Sequence, residues 1–176
     1  IFSYFLDDPS NVRNQRDIGG GGLLDVGCYA INTARYLFGA EPLRAIALVD
    51  KDPKFGTDRL TSGLLEFPGG RQLAFTCSTQ LALTQKVTVL GTRGRIEMPM
   101  PFNAPPDMAA SLVVDDGRDL TGGGAETLSF EPVDQYGLQT DAFAKAVLSG
   151  APLDTGLGDA VANMKAIDAL FRSAES

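Results

Sequence analysis

The sequence predicts an α+β fold: an open-faced, mainly antiparallel β-sheet with helices on one face. Three observations carry this. The middle of the chain breaks into β-type runs joined by tight turns without intervening helices, which is how antiparallel neighbours are connected. One long helical segment, ending at Gly39, precedes most of that sheet. Two more close the chain, so the helices can gather on one face. At 176 residues a single domain is expected, long enough to bury roughly 70% of the surface its unfolded chain exposes.

Residues 1–6 alternate apolar and small side chains and read as a strand. Residues 7–15 contain Pro9, Ser10 and two Asn and read as a loop that delivers Arg13 near the start of a helix. Glycines 19–22 run into that helix, and Gly39 ends it because glycine accepts positive φ. Beyond Pro42, residues 43–49 form a strand. Residues 58–67 and 71–80 are strands joined by Pro68-Gly69-Gly70, a hairpin signal. Residues 86–90 and 95–98 pair across Gly91-Thr92-Arg93-Gly94. Residues 98–107 hold four prolines and are irregular. Residues 111–114 form a strand, with a turn at Asp115-Asp116-Gly117. Residues 121–124 are a flexible crossing and 126–131 the last strand. Helices at 137–148 and 158–174 follow, separated by Gly150 and Pro152. Thr76, Ser78 and Gln80 alternate with Phe75, Cys77 and Thr79, so the outer sheet face is only partly polar and calls for cover.

Hydrophobic residues are 44% and charged residues 21% of the chain, the balance of an ordinary globular protein. A net charge of −7 without clustered Lys and Arg argues against nucleic acid, and more weakly against anionic membranes. No apolar run approaches the ~20 residues of a spanning helix, and no signal sequence opens the chain. The expected compartment is the cytoplasm, with the periplasm left open because the chain starts at Ile1 without Met. Cys28 in a helix and Cys77 in a strand read as two buried thiols, not a disulfide. The chain has no His, which removes the commonest general base and metal ligand. No metal site is expected, and acid–base chemistry must use carboxylate, phenol or Lys.

With about 100° per residue around a helix axis, Tyr29, Asn32 and Tyr36 fall within roughly 40° of Asp25. Leu24, Cys28, Ile31 and Phe38 lie to one side of this stripe, and Leu23, Val26, Ala30, Ala34 and Leu37 to the other. A surface helix shows one apolar face; this one has two apolar flanks with a polar seam between them. A carboxylate and a phenol on such a helix need partners or a cavity, so the seam is the candidate active site. Asp25 can equally cap or pair with a basic residue, and Tyr29 can be a core tyrosine. Arg13 can clamp a substrate hydroxyl or carboxylate, or bridge to Asp25 or Asp17. Asn32 suits a sugar hydroxyl or a backbone bond. Tyr136, opening a later helix, is a further candidate for substrate contact. Asp115, Asp116 and Asp119 read as a solvated turn, since their spacing does not fit a calcium loop.

The run Asn11-Val12-Arg13, then Gly-Gly-Gly-Leu-Leu-Asp25-Val-Gly27-Cys28-Tyr29, then Ile31-Asn32 and Arg35-Tyr36-Leu37-Phe38-Gly39, resembles the C-terminal domain of the glucose–fructose oxidoreductase/inositol dehydrogenase (Gfo/Idh/MocA) family. The likeness is to the sugar and dihydrodiol dehydrogenase branch, which carries Tyr where the inositol dehydrogenase branch usually carries His. The tail, with Tyr136-Gly-Leu-Gln-Thr-Asp141-Ala-Phe143, Asp159-Ala-Val-Ala-Asn163-Met164 and Ile167-Asp168, resembles the family's closing helices. The resemblance implies one substrate-binding and oligomerisation domain over residues 1–176. Its partner is an N-terminal Rossmann domain that binds NAD or NADP and carries a Lys in a Glu-Lys-Pro motif. Neither that motif nor a Gly-x-Gly-x-x-Gly occurs here: counted from Gly20 and Gly22 the third place is Asp25, and from Gly19 and Gly21 it is Leu24. Glycines 19–22 are instead expected to let the backbone turn or approach a neighbour.

By resemblance, the substrate is a sugar, polyol or cyclic diol oxidised at a CH–OH carbon, and the sheet face makes homo-oligomer contacts. Tyr29 and the Lys of the other domain would share the proton, with Asp25 orienting the substrate or holding that Lys. A phenol near pKa 10 is a poor base at neutral pH, and a nearby cation favours the phenolate. The chain without its cofactor domain is expected to be inactive. The alternative is a non-catalytic dimerisation or sugar-binding domain of an oxidoreductase-like paralogue.

Overall fold

A computed structural model describes residues 1–153 and 155–175. In chain order the elements are β1 (Phe2–Phe5), α1 (Cys28–Phe38), β2 (Arg44–Lys51), β3 (Asp58–Phe67), β4 (Arg71–Ser78) and β5 (Gln80–Gln85). Then come β6 (Val87–Gly91), β7 (Gly94–Met98), β8 (Ala110–Asp115), β9 (Ala125–Phe130), α2 (Gln135–Ser149) and α3 (Leu157–Ala174). The class is α+β, as expected, but the strands form two sheets instead of one. They belong to two compact units, one of Ile1–Thr84 with the segment from Leu157 and the other of Gln85–Gly156.

In the first unit the sheet order is β2-β3-β4-β1-β5. β2, β3 and β4 form the expected antiparallel meander, with Ile46 opposite Leu64 and Leu64 opposite Ala74. Two features depart from it. β1 runs parallel to β4, with Phe2 opposite Cys77 and Ser3 opposite Ser78. The strand expected at 71–80 also breaks at Thr79, and the chain continues as β5, an element that local sequence pattern does not announce. The reason is visible in the bonding: β1 lies between β4 and β5, Leu6 N donates to Thr79 O at 2.8 Å, and Ser3 Oγ donates to Ala82 O at 2.7 Å. A strand's period of two decides the faces. Ala47, Leu65, Phe67, Phe75 and Cys77 are buried, as are Ala30, Ile31 and Ala34 of α1 and Ala166, Ile167 and Leu170 of α3. Each large buried side chain contributes about 1.5–3 kcal/mol. On the opposite face Ile46, Leu48 and Leu64 are exposed and help line a shallow groove of about 540 Å³.

One buried cation ties the helices together. Arg35 of α1 makes two 2.8 Å bonds to the carboxylate of Glu41, a 2.8 Å bond to Asp159 of α3 and a 3.4 Å bond to Asn163.

The second unit is a four-stranded antiparallel meander, β6-β7-β8-β9, followed by α2. The helices expected to close the chain together thus fall in different units, with α3 packing on β2 and α1. Asp134 caps α2, its carboxylate accepting the Tyr136 and Gly137 N–H groups at 3.1 and 3.0 Å. The acidic turn differs from expectation at one residue. Asp115 is buried, because the register places it opposite Arg95, whose Nη2 lies 2.8 Å from its carboxylate. Asp116 and Asp119 are exposed and bonded within their own turns. Among the described residues no helix is long and apolar enough to cross a membrane.

Candidate functional site

The seam is built from the glycine segment upward. The backbone enters at Gly21 with φ +125°, and a Cβ there would stand 1.9 Å from Asp58 Oδ1. Only glycine combines that backbone with that approach. The carboxylate of Asp58, at the head of β3, is thereby free to accept the Leu23 N–H at 2.6 Å. Burial pushes Asp58 above the usual carboxylate range, partly offset by the backbone bond from Leu23.

The helix does not start as an α-helix. Leu23–Gly27 is a π turn, and α1 proper runs from Cys28 to Phe38, ended by Gly39 in the left-handed region. Packing explains the turn's tight seat: a Cβ on Gly27 would stand 2.7 Å from Leu23 Cδ1 and 2.9 Å from Cys77 Sγ. A uniform 100° per residue therefore misplaces the first part of the stripe, since a π turn advances less per residue.

Asp25 is paired on both oxygens. Arg13 Nε donates to Oδ1 at 2.8 Å, and the Tyr4 hydroxyl donates to Oδ2. Of the alternatives for Arg13, the bridge to Asp25 is the one formed, and the side chain keeps 45% of its exposure. Asp25 strengthens the hold of Arg13 on its proton. Burial, then the bond to and charge of Asp25, push the Tyr4 phenol well above the ordinary tyrosine range. Sequence reasoning misses Tyr4. Its only signal there is a hydroxyl-bearing ring in a strand of apolar and small residues, and nothing local ties it to a carboxylate twenty-one positions on.

Tyr29 is 43% exposed, not a core residue, with its ring 5.7 Å from that of Phe2. Asn32 is also exposed, and its Nδ2 donates to Asp159 Oδ2 at 3.4 Å instead of bonding to backbone. Tyr36 continues the stripe at 80% exposure. The flanks are unequal: Val26, Ala30, Ile31 and Ala34 are buried, while Leu37 of the expected apolar flank is exposed. Asp25, Arg13, Tyr29 and Asn32 share the first unit, whereas Tyr136 opens α2 of the second with its ring exposed. Both cysteines are free thiols, Cys77 buried and Cys28 half-buried rather than fully buried. Burial raises both, with the Asp25 charge adding to Cys28 and the Asp58 charge to Cys77.

Chemically, this is a solvent-facing phenol beside a carboxylate–guanidinium pair, with an amide one turn further. It can accept hydrogen bonds from, and donate them to, a polyhydroxylated ligand. At the helix start the Leu23 N–H is already engaged by the Asp58 carboxylate.

The chain is 48% identical over 175 residues to an uncharacterized oxidoreductase from Rhizobium meliloti, covering 99% of this chain and 52% of that protein. It is 37% identical over 177 residues to D-xylose 1-dehydrogenase (NADP(+)) 2 from Haloferax volcanii, with the same shares. It therefore spans about half the length of these curated relatives. The crystal structure of a 3-ketoreductase from Actinomadura kijaniata, complexed with NADP and TDP-benzene, superposes with a TM-score of 0.86 at 25% identity, over 98% of this chain and 51% of that one. Residues 1–97 match the family model described as the GFO/IDH/MocA C-terminal domain, and the chain belongs to that family.

Proposed function

We propose that this chain is the substrate-binding and oligomerisation domain, acting as one domain over residues 1–176, of an NAD- or NADP-dependent oxidoreductase. Its substrate is a sugar, polyol or cyclic diol, oxidised or formed at a CH–OH carbon. The observation that carries the reading is the exposed Tyr29 phenol one turn beyond the paired Asp25, in a chain alike end to end to a D-xylose dehydrogenase.

When bound, the nicotinamide supplies the hydride acceptor or donor. Carbonyl formation requires the hydroxyl proton to leave as the hydride moves, so a proton acceptor must lie within hydrogen-bond reach of that oxygen. Tyr29 is that group, working with a Lys of the cofactor domain that favours its phenolate. Asp25 supplies fixed negative charge to orient the substrate or that Lys. Arg13 and Asn32, both of the first unit, bind hydroxyl groups. The open face with Ile46, Leu48 and Leu64 is the homo-oligomer contact; no nucleic acid or membrane partner is assigned.

The test is nicotinamide reduction by the protein that joins this chain to its cofactor domain, across aldoses, inositols and cyclic diols, with NAD and NADP. Turnover is expected there and none from this chain by itself. Tyr29→Phe should lower kcat at least about a hundredfold with an unchanged unfolding midpoint. Unchanged kcat removes Tyr29 from the mechanism. Absence of turnover with every substrate overturns the enzyme reading.

A further inference from the structure

Both carboxylate oxygens of Asp25 are engaged by side chains of this chain, Oδ1 by Arg13 Nε at 2.8 Å and Oδ2 by the Tyr4 hydroxyl. Charge complementarity accounts for Arg13. Tyr4 comes from a different element, β1, whose register against β4 is set at Phe2–Cys77 and Ser3–Ser78. Phe2 and Ser3 are buried and Tyr4 is half-buried, so the ring is held by the sheet and not by the loop that carries Arg13. A hydroxyl donating to a carboxylate is among the stronger hydrogen bonds, and it is directional. Together the two donors fix the carboxylate plane next to the turn that leads to Tyr29.

We propose that Tyr4 is a positioning residue of the oxidoreductase site, holding the Asp25 carboxylate through Oδ2 so that Asp25 acts as an oriented charge and not as the base. This rests on the function proposed above. The phenol is suited to that role, because burial and the Asp25 charge keep it protonated, hence a donor, through the ordinary working range.

Tyr4→Phe keeps the ring and removes only the hydroxyl. In the protein that carries this chain with its cofactor domain, it should lower kcat about tenfold while KM changes less than about threefold. In an Asp25→Asn background the same substitution should add nothing, since the two residues act as one unit. A kcat equal to wild type, or losses that multiply in the double variant, overturns the proposal. A second readout needs no turnover. The ¹³Cζ shift of Tyr4, measured near neutral pH, should differ between Asp25→Asn and wild type, because the hydroxyl no longer donates to a carboxylate. A shift equal to that of wild type overturns the proposal. A changed shift in a protein without dehydrogenase activity supports the Tyr4–Asp25 orientation and overturns only the proposed function.

Discussion

The carboxylate of Asp58 accepts the Leu23 N–H at 2.6 Å, so the residue that opens β3 also holds the π turn that carries Asp25. Thirty-five positions separate the two in the chain. The seam is thus anchored to the sheet at its first residue, and Gly21 before it leaves room for that carboxylate.

Gly21→Ala tests this anchor. The new Cβ would stand 1.9 Å from Asp58 Oδ1 on a backbone at φ +125°. Both strain and loss of the Asp58 contact follow, and the expected destabilisation is about 2–4 kcal/mol. Urea unfolding measures it. A loss below about 0.5 kcal/mol would show that the loop relaxes freely.

Asp58 also makes stability depend on pH. Burial raises its folded-state value, so the native chain holds this proton more tightly than the unfolded chain. Its stabilising contribution is full below the ordinary carboxylate value, about pH 4, and is lost as pH rises through the raised folded value. The stability of wild type minus that of Asp58→Asn should therefore decrease with rising pH across that window. A difference that is flat or increasing contradicts the assignment. Glu41, lowered first by its bond from Arg35, acts in the opposite sense and loses its contribution as pH falls.

Arg35 and Glu41 should respond unequally. The Arg35 side chain is 5% exposed and serves Glu41, Asp159 and Asn163 at once. Arg35→Met should cost about 2 kcal/mol, below the range for a fully buried pair because the carboxylates left behind can hydrate. Glu41→Gln, at a 59% exposed partner, should cost under about 1 kcal/mol. Equal losses in urea unfolding would deny Arg35 its role as the hub between α1 and α3.

The open sheet face gives a test of association. Leu48, 80% exposed on β2 near Ile46, is replaced by a buried charge in any Leu48→Lys dimer that uses this face. The substitution should shift sedimentation toward the monomer with the unfolding midpoint of the monomer unchanged. An unchanged sedimentation coefficient would place the interface elsewhere.

Local chemistry is legible in the chain itself. Gly39 ends α1, Pro68-Gly69-Gly70 joins β3 to β4, and the alternation through Phe75 and Cys77 marks the buried face, because each follows from backbone sterics or a period of two. That Tyr29, Asn32 and Tyr36 share a face is visible for the same reason, since helical spacing is a property of neighbours, whereas the π turn takes Asp25 off that spacing. The partners are not visible. Asp115 meets Arg95 because β7 and β8 align in one register, and Tyr4 meets Asp25 and Asp58 meets Leu23 because the π turn packs against the sheet. The slot of β1 between β4 and β5, the break at Thr79 and the division into two sheets are likewise long-range choices. Sequence spacing encodes which residues share a face; which faces meet depends on chain closure over tens of residues, and no local pattern carries that information.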